Sequence, residues 1–243
     1  MQLAIFDIDG TLANTNPVDA RCYVRAVKDE LDVDLRNAKW SDFTFVTDSG
    51  ISVQIFERYL GRAPAAAELL RLQLRFRDLL AQAAREHPGS FSEVPGAAQA
   101  LHRLRRDPDW AVAIATGSWR ACALVKLQAA GLNIDSIPAA FADDGLARED
   151  ILTAAQARAQ AAHGQARFSR VVSIGDAPWD VQTARRLGLP FIGVRAHRDA
   201  VALEEWGASH VLQDYTDFDL LLRCLVEARV PAPRPASISP SSV

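Results

Sequence analysis

Short apolar runs alternate along the chain with longer stretches of helical period. Leu3–Phe6, Ala111–Ala115, Ala139–Ala142, Val171–Ile174, Phe191–Val194 and His210–Leu212 are the strand candidates. Most are continuously apolar, as strands covered on both faces are. Between them lie helical patterns: Ala97–Arg106 with Leu101 and Leu104, Arg120–Ala130 stopped by Gly131, the alanine-rich Ile151–Ala162, and Val181–Leu187 stopped by Gly188 with Pro190 beyond. Strands alternating with helices predict an α/β fold built on a parallel sheet.

The rhythm breaks once. From about Asn14 to Pro95 the first strand is separated from the second by far more than a normal βα connection. Pro64 opens a segment, Ala65–Glu86, in which Leu69, Leu70, Leu72, Leu74, Phe76, Leu79 and Leu80 recur at helical spacing, and Val18–Leu31 is a second helix candidate. An inserted α-helical subdomain therefore fits better than a structureless loop, with Pro88-Gly89 and Pro95-Gly96 bracketing the return. The expected division is a core of residues 1–14 and 96–230, a helical cap over 15–95, and a disordered tail from 231 to 243 where Pro, Ala, Arg and Ser take over.

Three strand ends carry candidate chemistry. The first is Asp7-Ile8-Asp9-Gly10-Thr11. In extended chain, residues two apart share a side, so Asp7 and Asp9 are expected to project together from the carboxyl end of a buried strand. Adjacent carboxylates repel unless a cation or a shared proton holds them, and Mg²⁺ suits such a site. A strand-ending turn explains one Asp and the Gly, but not both carboxylates. The second is Thr116-Gly117-Ser118, where a hydroxyl, a glycine and another hydroxyl precede a helix. Ser118 is expected to cap that helix, and free amides there with the Thr116 hydroxyl would take a phosphate oxygen; an ordinary capped loop reads equally well. The third is Gly175-Asp176-Ala177-Pro178-Trp179-Asp180, with Asp176 placed for a metal, Pro178 in the first helical turn and Asp180 near its positive end. Helix capping is the plain alternative. Arg148, in the segment between the second and third strand ends, would offset these carboxylates and hold a phosphoryl group; a solvated arginine is the alternative. A parallel sheet would gather all these ends into one crevice.

Bulk properties narrow the classes. With 243 residues, 49% hydrophobic, and a net charge of −3, the chain reads as a soluble globular protein and gives no support to a nucleic-acid binder. Cys22, Cys122 and Cys224 lie far apart with no CxxC spacing, which points to reduced thiols and a cytoplasmic location. No basic-plus-apolar leader precedes the first strand, and no apolar stretch approaches the length of a membrane span. Neither GxGxxG nor GxxxxGK[ST] is present, so a nucleotide-cofactor enzyme has little support.

With Asp7-Ile8-Asp9-Gly10-Thr11, Thr116, Arg148 and Gly175-Asp176 through Asp180 in this order, the chain resembles the haloacid dehalogenase-like hydrolases, chiefly their phosphatase branch. The insertion is similar to the small helical cap of phosphoglycolate phosphatases and β-phosphoglucomutases. The resemblance implies a Rossmann-like core, a small phosphorylated substrate and a Mg²⁺ cofactor. It implies Asp7 as nucleophile forming an aspartyl-phosphate, Asp9 as general acid and then base, and Thr116 and Arg148 on the transferring group. Gly10, Thr11, Gly117 and Ser118 would complete the phosphate site, and Mg²⁺ would be held by Asp7, the Asp9 carbonyl and Asp176 with support from Asp180. Asp9 favours phosphoryl transfer over dehalogenation, because halide leaves without a proton. The phosphonatase branch needs a cap lysine, and only Lys28 and Lys39 occur there. Close relatives have Lys-Pro where this chain has Arg148-Glu149, and arginine is not equivalent in geometry. A phosphomutase and a catalytically silent binding protein remain as rivals. Arg21, Arg25, Thr47, Asp48 and Ser49 are the cap residues that could face the site, although Asp48-Ser49-Gly50 reads better as a plain surface turn.

Overall fold

Six parallel strands lie in the order β3-β2-β1-β4-β5-β6: β1 (Gln2–Phe6), β2 (Trp110–Ala115), β3 (Ala139–Ala140), β4 (Val171–Gly175), β5 (Phe191–Val194) and β6 (Val211–Leu212). The computed structural model describes residues 1–195 and 202–233. The helices are α1 (Asn16–Leu31), α2 (Asp48–Leu60), α3 (Ala66–Glu86), α4 (Ala97–Leu104), α5 (Arg120–Ala129), α6 (Arg148–His163), α7 (Pro178–Arg186) and α8 (Phe218–Glu227). Strand β1 is central. It pairs with β2 from Gln2↔Trp110 to Phe6↔Ile114 and with β4 from Leu3↔Val171 to Phe6↔Ile174, so the strand ends at residues 6, 115 and 175 stand side by side.

The continuous apolar runs have the expected cause. Alternate residues of β1 enter different cores: Ala4 and Phe6 pack with α4 and α8 residues such as Leu101, Leu104, Leu221 and Leu225. Leu3 and Ile5 pack on the other face with Ile151, Leu152, Ala155 and Ala159 of α6. A strand buried on both faces has no position for a polar side chain until it ends.

The segment between β1 and α4 is helical. Helices α1, α2 and α3 share an apolar cluster, including Tyr23, Ile55, Leu72 and Phe76, and this cluster continues onto Trp119 and Cys122 at the start of α5. The two connections to the core run side by side: Asn14 N–H donates to Ser92 O and Val94 N–H to Leu12 O.

Several expectations need correcting. Helix α2 begins at Asp48-Ser49-Gly50, where the sequence reads better as a plain surface turn. Thr47 caps it, its Oγ1 accepting from Gly50 N at 2.9 Å, and Asp48 is buried; cap residues and turn residues are the same chemical types. Helix α8, capped by the Asp217 carboxylate on Leu220 N, is absent from the sequence reading. Strand β3 stops at Ala140, because Ala142–Asp144 turn into a 3₁₀ helix. Of the tail expected from 231, Pro231 is buried, Ala232 N–H donates to Gly207 O, and Arg185 donates to the Pro231 and Ala232 carbonyls; residues 234–243 lie outside the described residues.

Candidate active site

Asp7 follows the last residue of β1 and is buried, with 6% of its surface exposed. Asp176 follows β4, and Asp180 is the third residue of α7, whose first turn Pro178 opens. Carboxylate oxygens of Asp7, Asp176 and Asp180 lie within 4.8 Å of one another. Glycines make this approach feasible: a Cβ on Gly175 would sit 2.6 Å from the Asp180 side chain, and one on Gly10, where φ is +71°, would sit 1.9 Å from Asp176 Oδ2. Asn16 Nδ2 uses the space over Gly10 to donate to Asp176 Oδ2 at 2.7 Å.

Arg148 is not a solvated arginine. Its side chain is largely buried; Nη1 reaches Asp180 Oδ1 at 2.6 Å and Asp7 Oδ1 at 3.9 Å, and Nε donates to Val46 O at 3.0 Å. A Cβ on Gly117 would stand 2.8 Å from the guanidinium, so that glycine also makes room for the cation. Burial, and next the Asp180 carboxylate, push Asp7 up to about 7. Burial with Asp180 and Asp7 raises Asp176 well above the ordinary carboxylate range, and burial raises Asp180. Asp7 Oδ1 is buried with no hydrogen-bond partner. An orphaned carboxylate oxygen among three crowded carboxylates is the environment a hard divalent cation relieves, so the residues present fit one.

Asp9 behaves differently. The chain leaves extended conformation after Phe6, and Ile8 O accepts from Thr11, Leu12 and Ala13 N–H groups. This turn gives the Asp9 carboxylate partners of its own: its side chain is outside the three-carboxylate cluster, yet near enough for its charge to help raise Asp7. It accepts from Thr15 Oγ1 at 2.6 Å, Ser118 Oγ at 3.0 Å and Lys126 Nζ at 2.5 Å. Burial opposes its ionisation, but the Lys126 ammonium and these hydrogen bonds outweigh burial and hold Asp9 below its ordinary value.

Ser118 also departs from its expected part. Helix α5 starts at Arg120 behind Trp119, so Ser118 does not cap it and instead links Lys126 to Asp9. Thr116 Oγ1 accepts from Ser118 N at 3.2 Å. Thr11 is fully buried with its hydroxyl unpartnered, and it does not line the cavity described next.

A cavity of about 750 Å³ opens over these groups, lined by Asp9, Gly10, Thr116, Gly117, Ser118, Arg148 and Asp176 from the core. The helical insertion adds Asp19, Tyr23, Trp40, Thr47 and Asp48. Of the other cap candidates, Arg21 and Arg25 face a separate groove beside α3, and Ser49 donates to Ala142 O at 2.6 Å. The insertion is fastened over the cavity: Asp48 N–H donates to Gly117 O, Asp48 Oδ2 accepts from Trp119 N, and Thr47 Oγ1 donates to Leu146 O. Lys28 and Lys39 are both exposed, and neither lines the cavity.

A family model described as haloacid dehalogenase-like hydrolase matches residues 1–188. The chain belongs to the haloacid dehalogenase-like hydrolases. It is 26% identical over 204 residues to a phosphoglycolate phosphatase of Mesorhizobium japonicum, covering 79% of this chain and 82% of that relative. A hydrolase from Pseudomonas syringae shares the fold with a TM-score of 0.70 at 24% identity, over 92% of this chain and 98% of that one. A putative β-phosphoglucomutase from Bacteroides vulgatus does so with a TM-score of 0.64 at 18% identity, over 93% and 89% of the two chains. The CbbY protein of Rhodobacter sphaeroides, solved in complex with phosphate, does so with a TM-score of 0.59 at 16% identity, over 89% and 95%. The family makes this chain a hydrolase, and the curated relative it matches is a phosphatase.

Sequence reasoning missed Lys126. The signal was present: Cys122, Ala123, Lys126 and Leu127 are the buried stripe of α5, and a lysine on an apolar stripe needs a buried partner.

Proposed function

We propose that this haloacid dehalogenase-like protein is a Mg²⁺-dependent phosphatase that cleaves a small phosphorylated metabolite through an aspartyl-phosphate on Asp7. The observation that carries this reading is the division of labour between two carboxylates two residues apart. Asp7 sits in a crowded carboxylate cluster beside Arg148, whereas Asp9 lines the cavity, held by Thr15, Ser118 and Lys126.

An Asp7 oxygen attacks phosphorus, and the bond to the leaving oxygen breaks with its electron pair on that oxygen. Asp9 supplies the proton that makes it an alcohol. A water then attacks the same phosphorus, Asp9 takes its proton, and the bond to Asp7 breaks, freeing inorganic phosphate and the carboxylate. Splitting one difficult displacement into two is the gain of a covalent nucleophile. Asp7 and Asp176 would hold the cation, with Asp180 fixed behind them by Arg148; bound there, it supplies positive charge against the transferring group. Arg148 and the Thr116 hydroxyl bind phosphoryl oxygens where negative charge develops.

The insertion acts as the cap that excludes water and selects the alcohol. The partner is a small molecule, with no nucleic acid or membrane involved. Among the described residues no helix is long and apolar enough to cross a membrane, and the three cysteines are buried and free, which supports a reducing, cytoplasmic location. A phosphate-release screen over phosphorylated metabolites with Mg²⁺ tests the reading. Release from at least one substrate class, lost in Asp7→Asn, is the expected result; isomerisation of a sugar phosphate without release would identify a phosphomutase, and no turnover on any substrate would favour a silent binding protein.

A further inference from the structure

The ammonium of Lys126 is fully buried and has three hydrogens to donate. All three are directed at groups from different parts of the chain: Asp9 Oδ2 in the turn after β1 at 2.5 Å, Asp19 Oδ1 on α1 of the insertion at 2.5 Å, and Ser118 Oγ in the loop after β2 at 2.7 Å. Ser118 passes its own hydrogen to Asp9 Oδ2 at 3.0 Å, so Lys126 and Ser118 act on the same carboxylate oxygen. Thr15 fixes the other Asp9 oxygen.

From this juxtaposition we infer that Lys126, braced by Asp19, is a positioning residue that aims the Asp9 carboxylate at the leaving oxygen. A buried ammonium requires compensating charge, and one carboxylate would suffice for that. The second, Asp19, takes another of its hydrogens from α1 of the insertion, so the ammonium is tethered to a second element and is not free to follow Asp9 if it rotates. Ser118 closes the remaining direction. Without Lys126 the carboxylates of Asp9 and Asp19 would face each other and repel, and Asp9 would lose the donor that sets its rotamer. Lys126 does not line the cavity and touches no substrate, so its effect reaches the reaction through Asp9.

This inference rests on the proposed acid and base role of Asp9. The test compares p-nitrophenyl phosphate with phenyl phosphate, two substrates of one shape. Nitrophenolate leaves without a proton, whereas phenolate depends on one. In Lys126→Met, kcat/KM for phenyl phosphate, which reports the step that expels the leaving group, is expected to fall about tenfold or more relative to p-nitrophenyl phosphate, within the range of general acid contributions. For p-nitrophenyl phosphate kcat and KM should fall together, with a burst of nitrophenolate, because the water step becomes limiting. Asp19→Asn, which preserves volume and an accepting oxygen, should shift the ratio in the same direction by a smaller factor. An equal loss of kcat/KM on both substrates in folded Lys126→Met protein would mark a purely structural lysine and overturn the inference. If Lys126→Met does not fold, Asp19→Asn decides, and an unchanged ratio there overturns it. Inactivity of the parent enzyme with Mg²⁺ on both substrates would instead refute the phosphatase mechanism itself.

Discussion

Asp7 and Asp9 are two residues apart in one turn, yet their surroundings are opposite. Asp7 faces Asp176 and Asp180, has a buried oxygen without a partner, and is pushed up to about 7 by burial and by Asp180. Asp9 faces Lys126, Thr15 and Ser118, all its named partners donate to it, and it is held below the ordinary carboxylate value. The first site is short of positive charge, and the second carries its own. The contrast teaches that a protein can place a cation requirement at one carboxylate and exclude it from the next by choosing which buried side chain answers each.

The most severe way to break the contrast is to remove the Asp7 charge. Asp7→Asn is expected to abolish phosphate release while circular dichroism and the melting profile remain those of a folded protein. Retained Mg²⁺-dependent turnover would refute Asp7 as nucleophile. Arg148→Ala should follow, with a loss on the order of 10²–10³ in kcat, the usual range for one charge-stabilising donor. Arg148→Lys should not restore the rate, because one ammonium cannot replace a fork that engages both Asp180 and the Val46 carbonyl.

Lys126→Met attacks the other half. Breaking a buried ion pair from one side costs about 3–5 kcal/mol, so a clear drop in denaturation midpoint is expected. A midpoint equal to that of the parent would show that Asp9 and Asp19 find other partners.

A gentler test varies pH without metal. Asp7, Asp176 and Asp180 are raised in the folded protein, and Asp19 stands at about 6, so the folded state binds more protons than the unfolded one. Their contribution to stability is present in full below the unfolded value, ~4, and is lost as pH climbs through the folded values. The chelated protein should therefore melt at a lower temperature at about pH 8 than at about pH 5, and added Mg²⁺ should raise the melting temperature more at the higher pH. Asp9, lowered in the folded state, works in the opposite sense, and its contribution is lost only as pH falls below the unfolded value. A melting temperature that rises with pH would reverse the assignment of charge between the two sites.

The smallest effect is expected at Lys28. It is exposed and paired with the equally exposed Asp32 at 2.5 Å, a solvent-screened surface contact that adds little to stability. Lys28→Ala should leave phosphate release unchanged, which separates this site from one that needs a cap lysine for imine chemistry.

Much of this was legible in order along the chain. Continuous apolar runs marked strands because both sheet faces are covered, and three of the runs ended at candidate site groups because a buried strand has nowhere else to put one. Leu69 through Leu80 announced the long helix of the insertion by period alone. Helix α2 was not legible, since Thr47, Asp48 and Ser49 are as suited to a turn as to a helix start. Only burial and the bonds to Gly117, Trp119 and Ala142 distinguish the two.

The sequence by itself determined the strand order in time, the three motif-bearing strand ends and the presence of a long helical insertion, because periodicity and turn chemistry are local properties. Tertiary structure alone decided which side chains meet. It gave Asp9 partners that Asp7 does not share, drew Arg148 from solvent onto Asp180, and brought Lys126 along a helix to a carboxylate 117 positions away. Charge compensation acts through space at a few ångströms, and a chain that must bury its charges settles their partners only when it closes.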